Sequence, residues 1–307
     1  MRAVVFAYHD VGAQCLRVLQ RHRFEIPLVV THRDDPAENL WFERVSDVAD
    51  ALRLPWEAPD DANAPAFVER IASLAPDFIF SFYYRRMLSP ALLATARLGA
   101  LNMHGSLLPR YRGRAPVNWA VLNGETETGA TLHYMARKAD AGDIVGQRAV
   151  KIGEDDSARD VFDKVTQAAA GLLDDMLPLL VAGNAPRIHN DIGAGSYFGS
   201  RKPDDGRIDW NASAKAIHDL VRAVAPPYPG AFCEVEGRRV DVLRTHRLES
   251  CPDSLADAPG LHAAGDAIYA RGGDGRCLAV LDARCEGNAL TAEALREIRA
   301  RPHPYPD

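Results

Sequence analysis

An amide and an imidazole two residues apart, Asn102 and His104 in the stretch GALNMHG at 99–105, are the pair best equipped for chemistry in this sequence. If the stretch is a strand, residues two apart share a face, and both side chains enter one crevice. There the amide donates a hydrogen bond and the imidazole donates or accepts a proton. Taken singly, the histidine reads as a satisfied core residue and the asparagine as a turn or cap. Together at a strand end, with the acidic loop RKADAGDI and its Asp140 following later, they have the parts for addition to a carbonyl. Gly105, Pro109, Gly113 and Pro116 punctuate the intervening chain, so it reads as an irregular loop of the kind that binds ligands at the carboxyl ends of sheet strands.

The elements before this pair repeat one unit. RAVVFAYHDVG reads as a buried strand ending at Gly12, AQCLRVLQRHRF as an amphipathic helix and EIPLVVTH as the next strand. A polar loop, RDDPAENLW, leads to the helices VSDVADALRL and AFVERIASLA and to a core strand, PDFIFSFYY. The pattern predicts a doubly wound α/β fold with a mostly parallel sheet. No G-x-G-x-x-G follows the first strand, so a dinucleotide site of the dehydrogenase kind is not expected. Pro116 suits the first turn of a helix that Gly124 ends, ATLHYMA and IVGQRAVKI read as strands, and Ser157 with Asp160 forms a capping box for a long helix closing at Gly183. After one more helix, SAKAIHDLVRAV, short alternating runs around EGRR and GGDG predict antiparallel hairpins. Two domains are expected, 1–203 and a smaller β-rich, OB-like, barrel-like lobe at 204–307.

Composition narrows the classes. With 47% apolar and 25% charged residues, the 307-residue chain is an ordinary globular protein. A net charge of -6 argues against wrapping nucleic acid, which needs many Lys and Arg on phosphates. Five cysteines, odd in number and without Cys-x-x-Cys spacing, predict neither a disulfide framework nor a zinc site, so reduced thiols and a cytoplasmic location are expected. No run approaches the ~20 apolar residues of a membrane span.

Asn102-x-His104, the SLLPRYRG that follows and the later DAGDI resemble the signature of the formyltransferases that use 10-formyltetrahydrofolate. Within that family FSFYYR at 80–85, 102–133 and RAVAPPYPGAF at 222–232 are most similar to the domains that formylate UDP-4-amino-4-deoxy-L-arabinose in lipid A modification and polymyxin resistance. The resemblance implies catalysis by Asn102, His104 and Asp140, with Asp143 structural. It implies a folate site lined by Arg86, Met87 and Leu88, by Arg114, and by Ala136, Arg137, Lys138, Ala139 and Asp140, largely through backbone. Tyr83, Trp119 and Arg201 are substrate-side candidates, Arg201 because a guanidinium matches phosphate oxygens through two donors.

The reaction implied is attack of an uncharged sugar amine on the formyl carbon, with Asn102 and protonated His104 facing the developing oxyanion and Asp140 favouring the imidazolium. No metal is required. Bifunctional relatives also carry a UDP-glucuronate decarboxylase domain for which this chain has no counterpart, so a separate chain is expected to supply that step. Methionyl-tRNA formyltransferase is the runner-up, disfavoured because the region after 205 shows no basic stripe. Formylation of another UDP- or dTDP-linked amino sugar is a further alternative, and a folate- or nucleotide-binding module without catalysis would be expected to lack one of the three residues.

Overall fold

A computed structural model describes residues 1–35 and 39–300. They form two compact units, one of residues 1–116, 127–151 and 162–199, the other of 117–126, 152–161 and 200–300. The polar loop expected at 33–41 falls partly on 36–38, outside the described residues.

The first unit is built on a seven-stranded sheet. Its strands are β1 (Arg2–Ala7), β2 (Glu25–Val30), β3 (Trp56–Glu57), β4 (Phe78–Phe82), β5 (Gly99–His104), β7 (Glu127–Tyr134) and β8 (Ile144–Lys151), while β6 (Arg112–Gly113) lies apart from it. They run in the order β3-β2-β1-β4-β5-β7-β8. From β3 to β5 the pairing is parallel, and helices α1 (His9–Arg21), α2 (Val45–Ala51), α3 (Pro65–Ser73) and α4 (Pro90–Leu93) fill the connections. This explains the unbroken apolar runs: a parallel strand covered on both faces needs apolar side chains at every position, and β4 is buried throughout. Phe80 stacks on Phe82 at 5.5 Å, and full burial of such a ring is worth about 1.5–3 kcal/mol. The last two strands depart from the parallel expectation. Pairings β5–β7 and β7–β8 are antiparallel, because only the short α5 (Pro116–Leu122), closed by Gly124 at φ +66, and then the loop 135–143 join them. A miniature parallel pair, β6 with β9 (Tyr197–Phe198), completes this unit's strands.

The long helix α6 (Ala158–Val181) starts at the expected capping box: Ser157 N–H donates to Asp160 at 2.9 Å and Asp160 N–H donates to Ser157 Oγ at 3.2 Å. In the second unit, α7 (Ala214–Val224) lies on an antiparallel sheet of β10 (Ala231–Val235), β11 (Arg238–Arg247), β12 (Gly260–Ala264), β13 (Ala267–Arg271), β14 (Cys277–Cys285) and β15 (Asn288–Ala289), followed by α8 (Ala292–Ala300). Ile217, Val221 and Val224 of α7 share one core with Val240, Val242 and Leu278 of the sheet. Here only one sheet face is covered, and β11 alternates buried and open positions accordingly.

One expectation is overturned. Cys251 and Cys277 are disulfide-bonded, with Cα atoms 5.3 Å apart, while Cys15, Cys233 and Cys285 are free and buried. The partners lie 26 residues apart and meet only because the sheet brings the chain after β11 back to the start of β14. Among the described residues no helix is long and apolar enough to cross a membrane, and no group of three or more His, Cys, Asp or Glu side chains could hold a metal ion.

Candidate active site

Asn102 and His104 stand at the carboxyl end of β5, and the antiparallel register sets His133 opposite Asn102 and Thr131 opposite His104. Directly opposed residues share a face, so the four side chains converge. His133 Nδ1 lies 2.9 Å from the Tyr134 carbonyl and therefore donates to it. Its Nε2, 3.1 Å from Asn102 Nδ2, then accepts from the amide when the ring is neutral. One amide hydrogen of Asn102 is used in this way, and the other has no partner among the described residues. His104 Nε2 donates to the Tyr111 carbonyl at 2.8 Å, while its Nδ1 lies 3.6 Å from Asp140 Oδ1. Both ring nitrogens face acceptors, an arrangement complementary to the imidazolium.

Asp140 enters from the β7–β8 loop in a left-handed backbone conformation, φ +50. Its Oδ2 accepts the Gly113 N–H at 2.9 Å and its Oδ1 lies 3.6 Å from His133 Nε2. Burial pushes this carboxyl up, but the charge of His104, a protonated His133 ring that turns an Nε2–H toward it, and the Gly113 N–H together outweigh burial and hold the group well below the usual carboxylate range. Tyr83, Tyr111 and Ala115 also have positive φ, at +58, +56 and +49. Such conformations persist only where the surroundings over-determine them, and here they gather around one group of side chains.

The remaining candidates divide. Tyr83 reaches the site: a Cβ on Gly105 would stand 1.9 Å from its hydroxyl, so glycine next to His104 is what admits the phenol. Arg86 and Met87 are exposed and Leu88 is buried on the bend between β4 and α4. Arg114 is exposed, and its main-chain N–H donates to the Phe198 carbonyl at 3.0 Å. Ala136, Arg137 and Lys138 are exposed and Ala139 half-buried on the loop that presents Asp140. Trp119 and Arg201 lie in the second unit, where the guanidinium sits 4.9 Å over the indole ring and burial draws it below its ordinary pKa against the opposing charge of Asp205. Sequence reasoning missed His133, the Tyr111 carbonyl and the Gly113 N–H. Only the register of β5 against β7 exposes the first, and main-chain groups carry no residue signal.

A profile of the formyl transferase family matches residues 1–177, and a profile of the formyl transferase C-terminal domain matches 201–298. Solved structures share the fold at low identity. The N-formyltransferase from Helicobacter canadensis, in complex with folinic acid and dTDP-3-aminofucose, is 16% identical with a TM-score of 0.70, covering 91% of this chain and 98% of that one. WlaRD, a sugar 3N-formyl transferase solved with dTDP and 5-N-formyl-THF, is 15% identical with the same TM-score, covering 94% and 98%. A sugar N-formyltransferase from a Shewanella species is 20% identical with a TM-score of 0.63, covering 79% and 96%.

Proposed function

The chain belongs to the formyl transferase family and is an enzyme that moves formyl groups; we propose that it carries the formyl group of 10-formyltetrahydrofolate to the amine of a nucleotide-linked amino sugar. UDP-4-amino-4-deoxy-L-arabinose, an intermediate of lipid A modification, is the first acceptor to test, because the stretches 80–85, 102–133 and 222–232 resemble the domains that use it. The solved sugar N-formyltransferases make dTDP-linked amino sugars the second group. Cytoplasmic action is part of the same proposal.

The observation that carries the proposal is the convergence of Asn102, His104, His133 and Asp140 at the carboxyl end of β5. The folate is assigned to the side of Tyr84 and Met87. Tyr84 keeps a buried hydroxyl without a hydrogen-bond partner among the described residues, and Met87, three residues on, is 55% exposed. Arg86 to Leu88, Arg114 and the loop 136–140 would hold the ligand, which supplies an acyl carbon already bonded to a nitrogen leaving group.

The chain's own groups then manage charge. Asn102 donates its spare amide hydrogen to the formyl oxygen, where negative charge grows as the amine attacks, and His104 presents a second positive edge. As the new C–N bond forms and the old one breaks, the His104 imidazolium gives a proton to the departing nitrogen and is restored by the proton the amine sheds, so the ring ends in the state in which it began. Asp140, ionised throughout, balances the imidazolium. Tyr83, beside Gly105, is our candidate for the sugar, and Trp119 with Arg201, stacked in the second unit, our candidate pair for the nucleotide.

The test is incubation with 10-formyltetrahydrofolate and a panel of UDP- and dTDP-linked amino sugars plus methionyl-tRNA, with products read by mass. A formamide on one amino sugar is expected. Formylation of methionyl-tRNA alone, or of nothing, overturns the reading.

A further inference from the structure

The stretch between residues 178 and 200 is covered by neither family profile, yet part of it grips both loops of the candidate site. At one end Ile188 and Ile144 exchange main-chain hydrogen bonds of 2.8 and 2.9 Å, closing the foot of the Asp140 loop. Asn190, 2% exposed, donates from Nδ2 to the carbonyls of Asp140 at 3.0 Å and Gly142 at 3.2 Å. At the other end Ser196 Oγ accepts the Tyr111 N–H at 2.8 Å and the Ser196 carbonyl accepts the Arg112 N–H at 3.0 Å. Tyr111 is the residue whose carbonyl receives His104. Close approach here requires glycine, since a Cβ on Gly195 would lie 2.1 Å from the Pro109 carbonyl oxygen.

We propose that segment 188–198 is a strap that sets the catalytic geometry, with Asn190 acting as a positioning residue for Asp140. This rests on the catalytic reading of Asp140 given above. The chemistry fixes the amide: turning it over would aim Oδ1 at two carbonyl oxygens, so Nδ2 must face the loop. That orientation leaves Oδ1 buried and without a partner among the described residues. An apolar side chain would spare the orphan oxygen but leave the Asp140 and Gly142 carbonyls without this donor, so the amide is explained by the loop it holds. Asp140 is what that loop presents. Its main chain is held at φ +50, its neighbours Arg137 and Lys138 are exposed, and the carboxylate reaches His104 only at 3.6 Å. Relaxation of the loop to negative φ would move the carboxylate, and a displacement of ~1 Å at a reacting group commonly costs ~100-fold in rate.

A double-mutant cycle tests the strap on the full chain: wild type, Asn190→Ala, Asp140→Asn and the double variant, in single turnover with 10-formyltetrahydrofolate and the amino sugar turned over fastest in the panel. If Asn190 acts through Asp140, Asn190→Ala lowers the rate about 10- to 100-fold in wild type with KM for the sugar within about 3-fold, and less than about 3-fold in the Asp140→Asn background. Equal losses in both backgrounds, or none in either, overturn the proposal. Full activity of Asp140→Asn alone instead overturns the catalytic reading on which it rests. Should Asn190→Ala not fold, Asn190→Ser, whose hydroxyl can serve one of the two carbonyls, replaces it in the cycle, and the same pattern of losses supports or overturns the strap.

Discussion

Each unit buries a histidine and an aspartate among polar partners, and the two groups treat their hydrogen bonds differently. In the second unit His218 is clamped between Thr245 Oγ1 at 2.8 Å and the Glu154 carbonyl at 2.9 Å. Asp219 is paired with Arg222 at 2.8 Å and Lys215 at 2.6 Å, and Arg222 also serves the carbonyls of Gly153 and Asp156. Short contacts and full saturation make a structural joint. In the first unit Asp140 stands 3.6 Å from two histidines, Asn102 keeps a spare donor, and four non-glycine residues nearby hold positive φ. Buried polar groups with slack are held ready for something that is not part of the chain.

The largest effect expected from this contrast is on turnover. His104→Ala and Asn102→Ala should each lower kcat ~100- to 1000-fold or more while moving Tm by only a few degrees, because neither supports the core. A large fall in Tm with turnover retained would reverse the assignment, and thermal melts beside steady-state kinetics decide it. The converse should hold at the joint. Arg222→Met leaves Asp219 buried with half its partners and should cost about 3–5 kcal/mol in urea unfolding, with unchanged kcat per folded molecule.

Acid sharpens the comparison at smaller amplitude. His32, whose Nε2 accepts the Arg85 N–H at 3.0 Å, is drawn by burial and by Arg86 and Arg85 from 6.5 down to about 4. His218 is likewise lowered by burial. Between these values the unfolded chain binds protons that the folded chain refuses, so stability present above pH 6.5 is lost as pH falls toward 4. For half-buried His32 the share is about 1 kcal/mol after discounting for solvent, and His32→Gln should flatten that part of the pH–stability curve. Asp140 has a lower window of the same sign. Its depressed carboxyl contributes stability above the ordinary Asp value of 3.8, lost only as pH falls below it, so wild type and Asp140→Asn should diverge in stability above about pH 4 and converge in stronger acid.

The parts legible in the sequence were those with a local cause. Unbroken apolar runs marked β1, β2 and β4, period two put Asn102 and His104 on one face, and Ser157 with Asp160 marked the start of α6. Asp140 was reachable only through resemblance, since nothing in KADAGD separates it from Asp143. His133 was hidden because an antiparallel register slides by whole residues and no local pattern in ATLHYMA fixes it. Asn190 and the Cys251–Cys277 bond escaped for one shared reason: each matters through a partner far along the chain, 50 and 26 residues away.

The strap also bears on how the enzyme comes into being. A chain made from its amino end exposes Asn102 and His104 first, Asp140 later, and Asn190, which holds Asp140, another 50 residues on. A nascent chain that has reached residue 177 carries Asn102, His104, His133 and Asp140, while its two loops still lack Ile188, Asn190 and Ser196. The contacts that hold the Asp140 loop and the Tyr111 main chain in place therefore form only after the residues they hold have been made.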